Sequence, residues 1–257
     1  MITAWYKILS MTKILISAKF KKFSLTLLPY LAALLLIILA EQFTDVDYWV
    51  QDWIFQSGSW PVTKTIHNKL SPVFYTGIKI AIGIFAGICL ILFIISFISS
   101  GLKLKPYRNG LAIVFLSVIF VPLTVGGFKN WTNVYCPVDT IRYGGNMPNI
   151  KLLESYPEDF KPENKGVCYP AGHATGGFAL MSLLFLFKNK RNKFIGLIAG
   201  IFLGWAMGGY QMLRGEHFLS HTLTSMVAAY IIILLINFAV NECASRMHAD
   251  NMRLPHQ

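Results

Sequence analysis

Apolar residues dominate six stretches of the chain, residues 23–40, 76–98, 110–127, 173–187, 194–212 and 220–240, with polar, charged or aromatic connections between them. Crossing a hydrocarbon core of about 30 Å takes roughly 20 helical residues, so five or six of these stretches predict membrane-spanning helices. The stretch at 173–187 is short unless its glycine-rich start is counted. No internal repeat and no linker divides the chain, and the pattern predicts one all-α integral membrane bundle of six helices. Residues 1–22 alternate Trp5, Ile8, Leu9 and Ile14 with Lys7, Lys13 and Lys19. They read as a basic arm, either an amphipathic helix on an anionic membrane surface or a disordered tail. The long lysine-rich lead favours an uncleaved first helix over a signal peptide. The expected division is an arm at 1–22, one transmembrane domain at 23–241 and a tail at 242–257.

Composition agrees with that class. The 257 residues are 54% hydrophobic and only 14% charged, with a mean hydropathy of +0.52, too apolar for a water-soluble domain. A net charge of +11 would suggest nucleic acid in a soluble protein, but its distribution gives another reason. Lys7, Lys13, Lys19, Lys21, Lys22, Lys103, Lys105, Arg108, Lys188, Lys190, Arg191, Lys193, Arg246 and Arg253 all fall on one set of connections, against Glu242 and Asp250. On the other set, acids and bases nearly balance. The positive-inside rule then predicts a multi-pass protein of a bacterial inner (plasma) membrane with both termini cytoplasmic, and no nucleic-acid partner. Everything chemical lies on the opposite, periplasmic side.

That side carries a connection rich in Asp and aromatics (Asp45, Asp47, Tyr48, Trp49, Asp52, Trp53, Trp60), suited to a short helix along the interface, and a long loop between the third and fourth helices. Cys136 and Cys168 lie in the two halves of that loop, and an oxidising compartment allows them to pair. Closing a loop of roughly 30 residues is worth ~3–4 kcal/mol in the chain-entropy picture. Cys89 and Cys243 fall where no partner is expected.

Three clusters converge there: Lys129 at the end of the third helix, Pro170-Ala171-Gly172-His173 opening the fourth, and Arg214-Gly215-Glu216-His217-Phe218-Leu219-Ser220-His221 between the fifth and sixth. A Pro-x-Gly-His turn that opens a helix presents backbone N–H groups beside a titratable imidazole. Phosphoryl transfer needs cations for the phosphate oxygens, a nucleophile, and an acid for the leaving oxygen, and these residues supply all three without a metal or cofactor.

The order and spacing of these clusters resemble the type 2 phosphatidic acid phosphatase superfamily, whose motifs are Lys-x6-Arg-Pro, Pro-Ser-Gly-His and Ser-Arg-x5-His-x3-Asp. Here they read Lys129 followed after six residues by Cys136-Pro137, then Pro170-Ala171-Gly172-His173, then His217-Phe218-Leu219-Ser220-His221. The first motif's Arg is Cys136, the second's Ser is Ala171, and the third's Asp is His221. The third motif's Arg falls on Gln211, with Arg214 one helical turn further on. The resemblance implies that His217 attacks phosphorus and becomes a phosphohistidine, that His221 orients it, and that His173 protonates the leaving oxygen and then activates water. Lys129, Arg214 and the backbone at Gly172 would hold the phosphate. Arg142 is a candidate for the lost Arg, with a structural surface charge as the equal alternative, and Thr175 for the lost hydroxyl, while Glu216 either tunes His217 or, as expected, faces water. A second register makes His221 the nucleophile with Ser225 in the Asp place.

The expected activity is hydrolysis of a lipid phosphate or pyrophosphate at the periplasmic leaflet; undecaprenyl pyrophosphate, phosphatidylglycerophosphate, phosphatidic acid and lipid A phosphates are the family's substrates. Phosphotransfer to a second lipid uses the same site. A non-catalytic lipid-binding or transport protein is the reading of another class. It predicts ionisable groups in mid-bilayer, whereas no Asp or Glu falls within a predicted span and Lys79 lies near an outer end.

Overall fold

The computed structural model describes residues 2–99, 102–160 and 164–253, and among these the chain is helical with no β-strand. By length and composition five helices can cross a membrane: Ala18–Phe43, Lys64–Ile98, Lys105–Asp139, Lys190–Met212 and Leu219–Met247. They belong to α1 (Ile2–Phe43), α3 and α4 (Lys64–Ser71 and Ile78–Ile98, joined by a π-helical turn at Pro72–Gly77), α5 (Arg108–Thr132), α8 (Lys190–Met212) and α9 (Leu219–Arg253). A short α2 (Val46–Ile54) follows α1.

The expected basic arm and first span lie in one helix, since α1 runs unbroken from Ile2 through Pro29 to Phe43. The fourth predicted helix, Gly172–Leu186, is shorter than the five spans, and its turns vary in pitch. Residues 172–186 form a 3-10 turn (Gly172–Ala174), α6 (Thr175–Ala179), a second 3-10 turn (Leu180–Ser182) and α7 (Leu183–Leu186). The Ser182 hydroxyl donates to the Ala179 carbonyl at 2.6 Å, a back-bond that competes with the regular ladder.

This segment packs closely against α8. Gly196, Gly200, Gly204 and Gly208 recur every fourth residue and form one face of that helix. A Cβ on Gly200 would run into the backbone at Met181, one on Gly204 into the Phe178 ring, and one on Gly177 into the backbone of Gly204. The broken segment therefore sits almost backbone to backbone on α8, the close approach that small residues at this spacing permit. Val121, Ala174, Phe178, Met181, Ala229 and Ile233 fill the centre between α5, the broken segment, α8 and α9. On the other flank Cys89, Leu111 and Val114 pack α4 against α5. α1 lies at the periphery along α9, with Phe23 stacked on Phe238 at 4.2 Å and Tyr30 against Tyr230 at 4.8 Å.

Because helices alternate in direction, one end of the bundle collects the end of α1, the starts of α4, the broken segment and α9, and the ends of α5 and α8. Residues 133–160 and 164–171 lie over that end and are pinned to it. Cys136 and Cys168 form a disulfide with Cα atoms 5.1 Å apart. Lys151 Nζ donates to the Thr44 carbonyl at 2.9 Å, and the Glu41 carboxylate accepts the Leu152 N–H at 2.9 Å.

Candidate active site

Lys129 lies in the last turn of α5, where a cation suits the helix C-terminus. Its stem crosses Gly172: a Cβ there would meet Lys129 Cε at 2.8 Å. Glycine at this position is thus the space Lys129 occupies, and the first two motifs touch. Four hydrogen bonds set the turn that carries His173. The Thr132 hydroxyl donates to the Tyr169 carbonyl (2.6 Å), Cys168 N to Val134 O (2.9 Å), Ala171 N to His221 O (3.1 Å), and the Tyr169 hydroxyl pairs with that of Thr224 (2.7 Å). α5, the turn and α9 are stitched together at the backbone.

Residues 213–218, between α8 and α9, carry Arg214 and His217. Gln51 Nε2 donates to Met212 O at 3.0 Å, Val62 N to Leu213 O at 3.2 Å and Val138 N to Gly215 O at 2.8 Å. Gly215 has φ +75°, and the Trp60 ring lies where a side chain would stand. Only glycine answers both demands. Arg214 donates to Gln211 Oε1 at 2.7 Å and to Glu216 Oε1 at 3.0 Å. Gln211, at the family's Arg position, thus holds the displaced arginine, and Glu216 pairs with Arg214 rather than simply facing water.

Three histidines meet here. The His173 and His217 rings are 5.9 Å apart between centroids, and His217 and His221 are 5.8 Å apart. His217 and His221 are each only 2% exposed. His173 Nδ1, His217 Nε2 and His221 Nδ1 are buried ring nitrogens with no partner among the described residues, a costly state for a polar atom unless something is meant to bind it. His217 Nδ1 lies 3.4 Å from Cys168 Sγ. Burial first, then the cationic surroundings from His221, Lys129 and His173, hold the His217 imidazolium well below its ordinary range, with the Cys168 carbonyl acting in the opposite sense. His217 is therefore neutral at physiological pH, the state a nitrogen nucleophile needs.

Several expected contacts are absent. Arg142 is committed elsewhere: its guanidinium grips Asp52 at 3.0 and 2.6 Å and lies over the Tyr48 ring at 4.9 Å. Its Nε and Nη2 both serve Asp52, so the structure places it in an ion pair with α2. The Thr175 hydroxyl donates to the Gly172 carbonyl at 2.6 Å and is 1% exposed, so it does not replace the lost Ser hydroxyl. Ser225 donates to the His221 carbonyl, not its ring, which leaves the second register without its orienting group. Cys168, His217 and His221 have ligand atoms within 4.8 Å of one another, but the Cys168 sulfur is bonded to Cys136 and is no thiolate, so the trio does not fit a metal.

Sequence reasoning missed Tyr75. Its hydroxyl lies 2.8 Å from His173 Nε2 and its ring is 4.9 Å from the imidazole. In sequence it was one more aromatic near an interface, and only the π-helical turn that carries it sets it apart.

The sequence model of the PAP2 superfamily matches residues 110–244, a segment holding Lys129, His173, Arg214, His217 and His221. No curated protein and no solved structure matches the chain.

Proposed function

The chain belongs to the PAP2 superfamily, that of the type 2 phosphatidic acid phosphatases, and from that premise we propose that it is a membrane-embedded lipid phosphate or pyrophosphate phosphatase working through a phosphohistidine. The observation that carries this reading is the pair of unpartnered nitrogens, His173 Nδ1 and His217 Nε2, on rings 5.9 Å apart beside Lys129 and Arg214. A phosphoryl group fits that arrangement, with a nucleophile on one side and a proton donor on the other.

In the first step neutral His217 Nε2 forms a bond to phosphorus as the ester oxygen leaves. His173, protonated on Nδ1, gives that proton to the leaving oxygen and the lipid alcohol (or lipid monophosphate) departs. The incoming phosphate dianion itself favours the protonated ring, since its charge offsets the surrounding cations. In the second step His173 Nδ1 takes a proton from water, the oxygen attacks phosphorus, the P–N bond breaks and inorganic phosphate is released. Lys129 and Arg214 hold the phosphate oxygens, whose charge grows in both steps. His221 packs at the nucleophile's side. It lacks the carboxylate charge of the family's Asp, and that charge is not needed to keep His217 neutral. The positive connections at the far end of the bundle support a site on the periplasmic leaflet of an inner membrane, where the headgroup reaches the histidines while its chains stay in the bilayer.

The test is phosphate release by the purified full-length protein in detergent with EDTA, on a panel of phosphatidic acid, phosphatidylglycerophosphate, prenyl pyrophosphate and lipid A. Wild type releases phosphate from at least one lipid, and His217→Ala and His173→Ala lose at least ~100-fold in rate. Equal rates for wild type and His217→Ala would end the proposal.

A further inference from the structure

Tyr75 and Lys79 lie outside the matched family segment, yet Tyr75 touches His173 and Lys79 lies against the Tyr75 ring. They are four residues apart, Tyr75 in the π-helical turn and Lys79 in the first turn of α4. Lys79 Nζ stands 4.0 Å from the centre of the Tyr75 ring, and the Tyr75 hydroxyl is 2.8 Å from His173 Nε2. Lys79 is the only charged side chain in the 21 residues of α4. A lone charge on so apolar a helix is costly and marks function more often than fold. Among the described residues, no carboxylate lies within ion-pair distance of it.

The local backbone is built to aim this pair. Residues 72–77 form a π-helical turn, and a Cβ on Gly77 would stand 2.5 Å from the Pro72 carbonyl oxygen. A regular helix would rotate Tyr75 off the side that meets His173, so the widened turn has a positional consequence.

Charge counting at the site leaves a place for Lys79. Arg214 shares its guanidinium with Glu216, so Lys129, Arg214 and Glu216 together leave one net positive charge to meet a phosphate dianion. A further free cation balances it. Tyr75 answers a second need. A histidine that gives and takes a proton on Nδ1 must keep its other proton on Nε2, and a hydroxyl oxygen at 2.8 Å accepts that N–H in both charge states.

We propose that the π-helical turn and the start of α4 complete the active site, Lys79 as a phosphate-binding cation and Tyr75 as the positioning residue that fixes the ring and tautomer of His173. The inference rests on the phosphatase reading above. It assigns work to a part of the chain that the family match does not reach.

Kinetics of full-length variants in detergent, on whichever lipid of the panel wild type hydrolyses best, test it, with orthovanadate inhibition as a second readout. Lys79→Met raises KM and the vanadate concentration for half-inhibition about tenfold while kcat stays within about threefold, and Lys79→Arg restores both. Tyr75→Phe lowers kcat about tenfold at little change in KM and flattens one limb of the pH–rate profile. Lys79→Gln repeats the charge removal should the Met variant fail to fold. Wild-type KM and vanadate sensitivity in both neutral variants make Lys79 a mere interface anchor and overturn the proposal for it; wild-type kcat in Tyr75→Phe does the same for Tyr75. Loss of activity in His217→Ala with these variants unchanged defeats this inference alone. A wild-type protein that hydrolyses nothing and binds no vanadate defeats the phosphatase reading, and this inference with it.

Discussion

Ser220 occupies both oxygens of the Asp47 carboxylate: its backbone N–H donates to Oδ1 at 2.8 Å and its hydroxyl to Oδ2 at 2.5 Å. Ser220 stands in the first turn of α9, where an N–H has no partner within the helix, so a residue of α2 caps α9 from across the chain. His221 is the next residue. Burial pushes the Asp47 carboxyl up, and the two donors pull it back only in part. Asp47→Ala leaves the Ser220 N–H and hydroxyl buried without an acceptor, at a cost of ~1–3 kcal/mol. Asp47→Asn recovers part of it through its one remaining acceptor. Thermal midpoints in detergent check the order wild type, Asn, Ala.

The buried His217 ties stability to pH with a definite sign. Its folded-state affinity for a proton is well below the ordinary value of 6.5. Below that pH the unfolded chain binds the proton and the folded one does not. The contribution is thus complete above about 6.5 and is lost progressively as pH falls toward the folded value. Melting curves from pH 7.5 to 4.5 show a declining midpoint in wild type, and His217→Asn flattens that decline.

Two glycines separate function from fold. Alanine at 172 meets the far part of a flexible side chain, Lys129 Cε, whereas alanine at 204 meets the Phe178 ring inside the core. Gly172→Ala displaces the phosphate cation and raises KM several-fold with little change in melting. Gly204→Ala overpacks the contact between α8 and the broken segment and costs ~1–3 kcal/mol of stability. Paired kinetics and melts distinguish the two.

Arg142→Ala leaves KM within about twofold, since its guanidinium serves Asp52 and not the site. Both partners are more than 40% exposed, so a double-mutant cycle with Asp52→Ala gives a coupling of only about 0.2–1 kcal/mol. Arg142 holds the Asp52 carboxyl below its usual range. Whatever this pair contributes is present above the ordinary Asp value of 3.8 and disappears as pH falls through the folded one. Added salt weakens it further.

The spans were legible because length and apolarity alone define them, and the histidines because two motifs and a terminal lysine recur in order on one side of the bundle. The ion pair of Arg142 was not legible: its partner Asp52 is 90 positions away, and nothing local in a sequence announces a long-range ion pair. The broken helix left a trace that hydropathy ignores, the four-residue glycine spacing in α8, which signals a neighbour at backbone distance. Tyr75 left almost none. An aromatic that anchors a helix at an interface and one that grips a catalytic imidazole look alike until the partner is seen.

The bond between Cys136 and Cys168 encloses the loop in a covalent ring, with Lys129 on the chain leaving one end and His173 on the chain leaving the other. A protease that cuts an exposed peptide bond between those cysteines therefore severs the polypeptide without parting the molecule. The nicked form migrates as one species without reductant and as two fragments with it. Lys129 still lies on Gly172 in that form, because neither the helices nor the bond that joins their ends has been cut.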